Sequence, residues 1–465
     1  MNITNTLGKN KEVFKPQTPG KVSMYHCGPT LYWTQQIGNM YAMVQADVIR
    51  RSFIANGFDV TFVRNYTDVG HLSGDNEGDA DSGQDRMEKA AQRESKSPEE
   101  IAQHYREEFD RHTDLLNIQK PTYAPMATDH IQEMITFVQG LLDKGFAYQT
   151  NLAIYFDISK ARDYNKLSGQ KIESLQSGSG HGSVTDTEKK NQQDFALWFF
   201  KTGSHQNALQ TWPNPFSELP GFPGWHIECS ALIENFLGET IDVHMGGVEH
   251  IPIHHTNEIA QSESLHEKPL AHYWIHNEHL LVDGQKMSKS LGNAINLNHI
   301  IEKGFNPLDL RYFFLQAHYR SKINFTWQAL EASQTALRRL RGRIQAFPKG
   351  GSVHEQYLQE FLDRINDDFN VPAGLAYVTE VLQSDISDAQ KRATVLKFDE
   401  VFGLDLDKET GGQLDIPNEV AELLEQREKA RLDKNFELSD HIREQISSHG
   451  YEVLDAPDGQ QIKKL

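Results

Sequence analysis

Two lysines spaced three residues apart, Lys286 and Lys289, have the most evident chemistry in this sequence. They lie in the stretch KMSKS at 286–290, whose small residues favour a loop. Two ammonium groups on such a loop can hold phosphate oxygens, and their attraction grows as negative charge develops on a leaving pyrophosphate. A basic surface turn gives the same spacing, so the pair alone leaves both interpretations open.

A second group of residues has the types and spacing of metal ligands. His254 and Glu258 are four residues apart, which places both side chains on one face of a helix. The chain's two cysteines, Cys27 and Cys229, could complete a tetrahedral zinc site of two thiolates, one imidazole and one carboxylate. These four residues come from distant segments, and isolated cysteines are commonly small buried apolar groups. The residues alone therefore do not decide between a metal site and ordinary core positions.

The elements that would position these residues begin with a strand–helix–strand pattern. Residues 22–26 read as a strand, residues 39–54 have the apolar spacing of a helix, and residues 58–63 read as a second strand. Apolar strands joined by a helix favour a parallel sheet with a right-handed crossover. Ligands bind beyond the carboxyl ends of such strands, where residues 27–39 and 65–71 would lie.

The remaining pattern is less regular. A polar segment rich in Ser and Gly at 177–193 predicts a surface loop. From Pro307 onward the chain reads as mostly helical, and five arginines and lysines (Arg338, Arg339, Arg341, Arg343 and Lys349) suggest a basic face for nucleic acid or a solvated helix surface. We further expect helices at 98–116 and 131–145 and strands near 242–244 and 273–276.

Composition limits the function classes. The 465 residues suggest several domains, and a mean hydropathy of -0.59 with no long apolar run predicts no membrane span. The amino-terminal residues lack an export signal, and two cysteines are too few for a disulfide scaffold, so we expect a cytoplasmic protein. The net charge of -19 does not exclude a nucleic-acid partner, because binding requires only a local basic face.

Taken in order, the motifs resemble those of the cysteinyl-tRNA synthetase family of class I aminoacyl-tRNA synthetases. The similarity spans nearly the whole chain, and KMSKS resembles the signature loop of this class. The other segments that carry the resemblance are CGPT at 27–30 with Tyr32, RNYTD at 64–68, DFALW at 194–198, GWHIECS at 224–230, HMGGVE at 244–249, HHTNE at 254–258, DDFN at 367–370 and the tail at 420–465.

The resemblance implies a role for each candidate residue. It implies that Cys27, Cys229, His254 and Glu258 bind one Zn²⁺ per subunit, which takes the thiolate of the substrate L-cysteine and so rejects serine. Thr67 and Trp225 would line the amino-acid pocket. The remaining implied roles concern ATP with its Mg²⁺: Lys286, Lys289, Gln36 and Asn39 in catalysis, and Thr30, Gly38, Gly246, Gly247, Glu249 and Lys289 in binding.

The resemblance also implies the architecture: an α/β fold with a Rossmann-like, doubly wound parallel-sheet catalytic core, an inserted connective segment, and all-α helical domains after it. The expected divisions are 1–115 and 221–305 for the two catalytic halves, 116–220 for the insertion, 306–350 for a stem-contact helical region, 351–410 for a helical bundle and 411–465 for a small anticodon-binding domain.

One signature departs from the family pattern. The family's His-Ile-Gly-His or His-Ile-Gly-Asn reads Gln36-Ile37-Gly38-Asn39 here. A glutamine amide can still donate a hydrogen bond to phosphate but cannot carry positive charge, and losing one transition-state donor typically costs ~10²–10³ in rate. Three interpretations stay open: Gln36 donates adequately, the enzyme is slow, or the chain has lost activation and kept a binding role.

The expected function is therefore a cysteine–tRNA ligase, acting as a monomer on ATP, L-cysteine and tRNA(Cys). One alternative is an ATP-dependent ligase that joins cysteine to a small amine, which would have no use for the tail at 420–465. Another is a catalytically weakened paralogue that binds tRNA or cysteine, supported by Gln36.

Overall fold

The computed structural model describes residues 1–70, 72, 85–169, 186–287, 293–408, 418–432, 435–456 and 459–464. The strands are β1 (Asn2–Asn5), β2 (Asn10–Val13), β3 (Lys21–His26), β4 (Asp59–Arg64), β5 (Ala147–Gln149), β6 (Ala153–Phe156), β7 (Phe195–Phe200), β8 (Gly221–Pro223), β9 (Ile241–Gly247), β10 (Ala271–Asn277), β11 (Leu280–Val282), β12 (Gln285–Lys286), β13 (Ile323–Phe325), β14 (Tyr451–Ala456) and β15 (Gly459–Lys464).

Several helices begin at capping groups or glycine, while others begin without a side-chain cap. Ser97 and Glu100 form a capping box around a proline at the first helical position, and Gly224 and Gln36 precede two helices in extended conformation. The helices are α1 (Ile37–Ala55), α2 (Arg86–Glu94), α3 (Pro98–Leu115), α4 (Ile131–Asp143), α5 (Trp225–Leu237), α6 (His254–His266), α7 (Leu297–Glu302), α8 (Pro307–Leu315), α9 (Trp327–Ala346), α10 (Glu355–Ile365), α11 (Val371–Gln383), α12 (Asp388–Phe402), α13 (Asn418–Leu432) and α14 (Phe436–Ser448).

A four-stranded parallel sheet with the order β10-β9-β3-β4 forms the centre of the molecule. The chain runs from β3 through α1 to β4 in one direction, and from β9 through α6 to β10 in the other. The strand order therefore reverses between β3 and β9, which is where ligands bind in open α/β sheets. The predicted α/β fold with a doubly wound parallel sheet is confirmed.

The insertion between β4 and β9 has a sheet of its own. Strands β5 to β8 pair antiparallel in sequence order, and α4 packs with them around aromatic residues such as Phe156, Phe195 and Trp198. Of the loop predicted at 177–193, residues 186–193 are irregular as expected, while residues 177–185 lie outside the described part of the chain.

After β10 the chain is mostly helical, as the sequence predicts, and it also contains short strands that the sequence did not indicate. Strand β11 pairs with β12 and β13, and β14 and β15 form an antiparallel hairpin behind α14. Among the described residues, no helix combines the length and the apolar character that crossing a membrane requires.

Candidate active site and metal centre

One cavity of about 440 Å³ lies at the carboxyl ends of the central strands. Its walls are formed by residues that follow β3, β4, β9 and β10 and by the first turn of α1. Twelve of the residues predicted from the sequence line it: Cys27, Thr30, Gln36, Gly38, Asn39, Thr67, Trp225, Cys229, Gly247, Glu249, His254 and Lys286.

The four predicted metal ligands meet at one end of this cavity. Cys27 follows β3, Cys229 lies in the first turns of α5, and α6 supplies His254 and Glu258 from one face. The two Sγ atoms are 3.7 Å apart, and Cys27 Sγ lies 3.7 Å from Glu258 Oε1. His254 Nε2 is 3.0 Å from the same carboxylate oxygen. Both cysteines are free thiols, so the sulfurs are available as ligands.

These separations fit a tetrahedral metal. Around a zinc ion with bonds of about 2.3 Å to sulfur and about 2.1 Å to nitrogen or oxygen, neighbouring donor atoms lie ~3.4–3.8 Å apart. The sulfur–sulfur and sulfur–oxygen separations of 3.7 Å fall in that range, and the 3.0 Å nitrogen–oxygen contact is slightly shorter. Two sulfurs with one nitrogen and one oxygen form a donor set that zinc accepts.

A second group of potential ligands shares two of these residues. Cys27 and Glu258 also lie within metal-binding distance of His244 and His255. His255 Nδ1 is 2.7 Å from His276 Nε2, its Nε2 lies 3.4 Å from Cys27 Sγ, and His244 Nε2 is 2.7 Å from Glu258 Oε2. Neither His244 nor His255 is among the described residues that line the cavity, whereas Cys27, Cys229 and His254 all are. Three residues of the first group line the cavity and only Cys27 of the second does, so the first group is better placed to present a metal to a ligand.

The protonation of the site is set by close contacts. Burial opposes ionisation of Cys229, but hydrogen bonds from Cys27 and His254 lower the pKa of its thiol to about 6. Burial also disfavours a charged His254, yet Glu258 and Cys229 raise its pKa to about 10. The pKa of Glu258 is lowered despite burial, because His244 and His254 face it. Burial and the neighbouring Cys229 raise the pKa of Cys27.

Surrounding side chains fix the orientation of the ligands. His226 Nδ1 lies 2.9 Å from His254 Nδ1, which leaves His254 Nε2 directed at Glu258. The Trp225 ring stacks on His254 with centroids 4.2 Å apart. His244 holds the second carboxylate oxygen of Glu258. Partners of this kind set the tautomer and the direction of metal-binding side chains.

The opposite end of the cavity is formed by the start of α1. Gly38 packs so closely under Met287 that a Cβ at this position would lie 2.8 Å from the Met287 methyl carbon. The Ile37 amide donates to the Ile295 carbonyl at 2.9 Å, so both ends of the segment containing KMSKS contact α1. Exposed amides and the helix dipole make this helix start suitable for phosphate.

Two glutamines precede the first turn of α1, and they differ in role. The buried Gln35 donates to the carbonyls of Thr30 and Trp33 at 3.1 and 3.2 Å, and it accepts from the Asn39 amide. Gln36 occupies the cap position, yet within the described part of the chain its side chain makes no capping hydrogen bond. The side-chain amide of Gln36 is therefore available to a ligand in the cavity.

Comparison with known families agrees with this geometry. Residues 13–335 match the model of the class I (C) tRNA synthetase catalytic domain. Residues 414–462 match the model of the cysteinyl-tRNA ligase anticodon binding domain. A cysteine–tRNA ligase 1 of Burkholderia lata is 41% identical over 99% of this chain and 96% of its own length. The cysteine–tRNA ligase of Treponema denticola is 36% identical over the full length of both chains.

This chain belongs to the class I cysteine–tRNA ligase family. Solved structures with the same fold include the Mycobacterium tuberculosis methionyl-tRNA synthetase with methionyl-adenylate, at a TM-score of 0.55 and 14% identity over 83% of this chain and 90% of that one. The Agrobacterium radiobacter LeuRS in a ternary complex with tRNA and LeuAMS has a TM-score of 0.60 at 10% identity and covers 84% of each chain.

Three residues expected in the site of a cysteine–tRNA ligase do not line the cavity or are not described. Glu258, a predicted metal ligand, is fully buried and does not line the cavity. A Cβ on Gly246 would lie 2.6 Å from a His255 ring carbon, so packing against that ring accounts for this glycine. Lys289 lies outside the described residues, and its role remains a prediction.

The sequence reasoning missed residues that support the site of this family member. Gln35, Asn65, Glu228 and the histidines 226, 244 and 276 contact predicted site residues or their neighbours. The 21 histidines of the chain were a signal, because seven of them cluster around the sheet end: six are buried (His26, His226, His244, His254, His255 and His276) and His250 is half-buried.

Proposed function

We propose that this chain activates L-cysteine with ATP to give cysteinyl-adenylate and pyrophosphate, and then transfers the cysteinyl group to the 3′ end of tRNA(Cys). The observation that carries the proposal is the meeting of two thiols, an imidazole and a carboxylate at one end of a cavity whose other end is the start of α1. A thiol-binding end and a phosphate-binding end within one cavity suit a substrate pair of cysteine and ATP.

Cys27, Cys229, His254 and Glu258 would hold the zinc ion. When bound, zinc supplies a soft Lewis acid that favours a thiolate strongly over a neutral alcohol, which separates cysteine from serine. The chain's own residues do the rest of the selection. Trp225 stacks on His254 and lines the cavity beside it, so it limits the size of the side chain that fits.

At the other end of the cavity, ATP would lie against α1 with its phosphates near the helix start. Gly38 leaves room for the nucleotide because it has no Cβ. Lys286 lines the cavity and Gln36 offers its amide, so both would stabilise charge as the cysteine carboxylate attacks the α-phosphate. Glu249 and Gly247 would contact the ribose, and Mg²⁺ would accompany the phosphates.

Transfer to tRNA would use the carboxyl-terminal region. Residues 414–462, which match an anticodon binding domain, contain α13, α14 and the β14–β15 hairpin. A ligase that joins cysteine to a small amine would need no such region. A monomer in the cytoplasm is the assembly and location that we propose.

Cysteine-dependent exchange of pyrophosphate into ATP, measured without tRNA, tests activation. We expect exchange with cysteine and essentially none with serine, followed by charging of a tRNA(Cys) transcript. A chain that only binds tRNA or cysteine would show no exchange, and a cysteine–amine ligase would show exchange without charging.

Replacement of one thiol tests the selection by metal. Cys229→Ala should lose bound zinc and cysteine-dependent exchange together, because removal of one of two thiolates weakens the hold of the four-ligand set on the ion. Affinity for tRNA(Cys) should change little. Metal content by mass spectrometry and exchange assays check this, and a variant that still prefers cysteine to serine would refute selection by the metal.

A further inference from the structure

The Thr67 hydroxyl lies beside the metal-binding end of the cavity and is fixed by its neighbours. Its backbone is held against the segment after β3, because the Thr67 amide donates to the Pro29 carbonyl and the Leu31 amide donates to the Thr67 carbonyl. The residue lines the cavity although its exposure is only 2%. A threonine held in this way has few rotamers, so its oxygen occupies one defined position.

One hydrogen bond to this hydroxyl has a fixed direction. The Gly28 amide donates to Asn65 Oδ1 at 2.8 Å, which identifies the carbonyl side of the Asn65 amide. Asn65 Nδ2 must then face Thr67, and it donates to Thr67 Oγ1 at 3.2 Å. A backbone amide can only donate, so this assignment does not depend on a choice of amide orientation.

Within the described part of the chain, the hydrogen of the hydroxyl has one acceptor. Thr67 Oγ1 donates to Glu228 Oε2 at 2.9 Å. A hydroxyl has one hydrogen and two lone pairs. The hydroxyl hydrogen of Thr67 points to Glu228, and one lone pair of Thr67 Oγ1 faces Asn65. Only the second lone pair of Thr67 Oγ1 is then left for the cavity. Thr67 is therefore set as an acceptor for whatever ligand donor reaches it.

In this arrangement Glu228 contributes little to the stability of the folded chain. It is 0% exposed, and its Oε1 has no hydrogen-bond partner among the described residues. A buried carboxyl group with an unpartnered oxygen destabilises a folded chain, whereas an apolar side chain of similar size would not. Among the described residues, its one polar contact is the hydrogen bond from Thr67, so its carboxyl group serves the hydroxyl at the cavity.

We propose that Glu228 is a positioning residue that orients the Thr67 hydroxyl to accept a hydrogen bond from the α-ammonium group of the amino-acid substrate. The inference rests on the proposed function, since it requires an amino acid in this cavity. The residues that fix the hydroxyl are next to the two thiols in sequence: Gly28, which holds Asn65, follows Cys27, and Glu228 precedes Cys229. An amino acid held by its thiol has its ammonium group only two carbons away, at this end of the cavity. The ribose and phosphates of ATP belong at the α1 end.

The test compares cysteine with 3-mercaptopropionate, which has the same thiol and carboxylate but no ammonium group. Exchange assays give the KM for cysteine and for ATP, and the analogue is used as a competitive inhibitor. In Glu228→Met and in Thr67→Val we expect the KM for cysteine to rise about tenfold or more, because a hydrogen bond to a charged group is lost. The Ki of the analogue and the KM for ATP should change less than about threefold, as expected when one ligand contact is lost.

Matched variants separate positioning from packing. Glu228→Gln keeps an oxygen that can accept from Thr67, and Thr67→Ser keeps the hydroxyl, so both should retain a KM for cysteine near that of the unaltered chain. The amount of bound zinc should be the same in Glu228→Met as in the unaltered chain. This result would exclude an indirect effect through Cys229.

The outcomes are distinguishable. An equal rise in the KM for cysteine and in the Ki of the analogue, or a rise in neither, would overturn the inference. If Glu228→Met does not fold, the pair Thr67→Val and Thr67→Ser decides the question. Absence of cysteine-dependent exchange in the unaltered chain would instead contradict the proposed function.

Discussion

At the residue scale, the position of Gln36 shows how this chain can work without the usual histidine. The residue precedes α1 in extended conformation and lines the cavity, while Gln35 makes the contacts that hold Asn39 and the Thr30 segment. Gln35 therefore has a structural role, whereas Gln36 lines the cavity. We propose that the side-chain amide of Gln36 serves as a neutral donor.

Replacement of this side chain should affect rate without affecting the fold. Gln36→Ala should lower the rate of cysteine-dependent pyrophosphate exchange by ~10²–10³, the usual cost of removing one transition-state donor. Its thermal unfolding should stay close to that of the unaltered chain, because the side chain makes no capping bond within the described residues. Gln36→His should be at least as fast as the unaltered chain. Unchanged exchange in Gln36→Ala would show that other groups carry the charge.

The residues of the site were predictable to the extent that their types are specific. Two cysteines, a helical His-x-x-x-Glu pair and two lysines in a loop carry recognisable chemistry, and order along the chain made them more specific. The roles of Glu228 and Asn65 were not predictable, because each depends on one hydrogen bond between distant segments. Spacing in the sequence carries no information on such contacts.

At the element scale, α1 contacts the segment containing KMSKS, and these are the two elements that we propose bind ATP. Met287 lies over Gly38, and the Ile37 amide is bonded to Ile295. A Cβ at Gly38 would press only on the flexible end of the Met287 side chain, which can move at little cost. The protein alone therefore tolerates alanine at this position.

Binding of ATP, by contrast, should not tolerate alanine at position 38. Gly38→Ala should raise the KM for ATP about tenfold or more if the nucleotide approaches the backbone as proposed, with thermal unfolding unchanged. The double variant with Met287→Ala should show the same defect, since the crowding would come from ATP. Recovery in the double variant would assign the effect to Met287 instead, and steady-state exchange kinetics distinguish the two.

Elements with a strong local pattern were predicted closely. Strands β3 and β4 and helices α1, α3 and α4 lie within a few residues of the sequence expectation, because their apolar spacing is a local property. The hairpin of β14 and β15 was missed. Strand β15 reads GQQIKK and has one large apolar residue, so its local signal is weak, and Tyr451 and Val453 of β14 find their apolar partners on α14.

At the scale of the whole molecule, a buried ion cluster ties the catalytic sheet to the helical region. Asp47 of α1 accepts from Arg51 at 2.8 Å and from Arg311 of α8 at 2.6 Å. Arg311 is fully buried and also donates to the carbonyl of Phe402 at the end of α12. Three regions of the chain thus meet at one carboxylate.

Neutralising this carboxylate should weaken the whole structure. Asp47→Asn should cost ~3–5 kcal/mol, because it leaves two buried guanidinium groups without their counter-charge. The matched control is Lys397→Ala, which breaks an exposed pair with Glu400 and should cost at most ~1 kcal/mol. Chemical denaturation measures both. Similar costs for the two variants would show that the cluster contributes no more than a surface pair.

The same cluster predicts a dependence on pH. Burial raises the pKa of Asp47, but Arg311 and Arg51 more than offset this, so the pKa in the folded protein lies below its ordinary value. A carboxyl group with a lowered folded pKa stabilises the protein above its unfolded pKa, ~3.9, and this stability is lost as the pH falls below it. Between pH 5 and pH 3, Asp47→Asn should therefore lose less unfolding free energy than the unaltered chain.

The order of strands in the central sheet has a consequence for the newly made protein. Strand β3 pairs with β4, which ends at Arg64, and with β9, which begins at Ile241. Translation at about 5–20 residues per second delivers β9 roughly ten to thirty-five seconds after β4. During this interval one side of β3 lacks its partner strand and presents open backbone groups near the ribosome. Nascent chains of this protein should therefore need shielding by a chaperone until the second half of the sheet emerges.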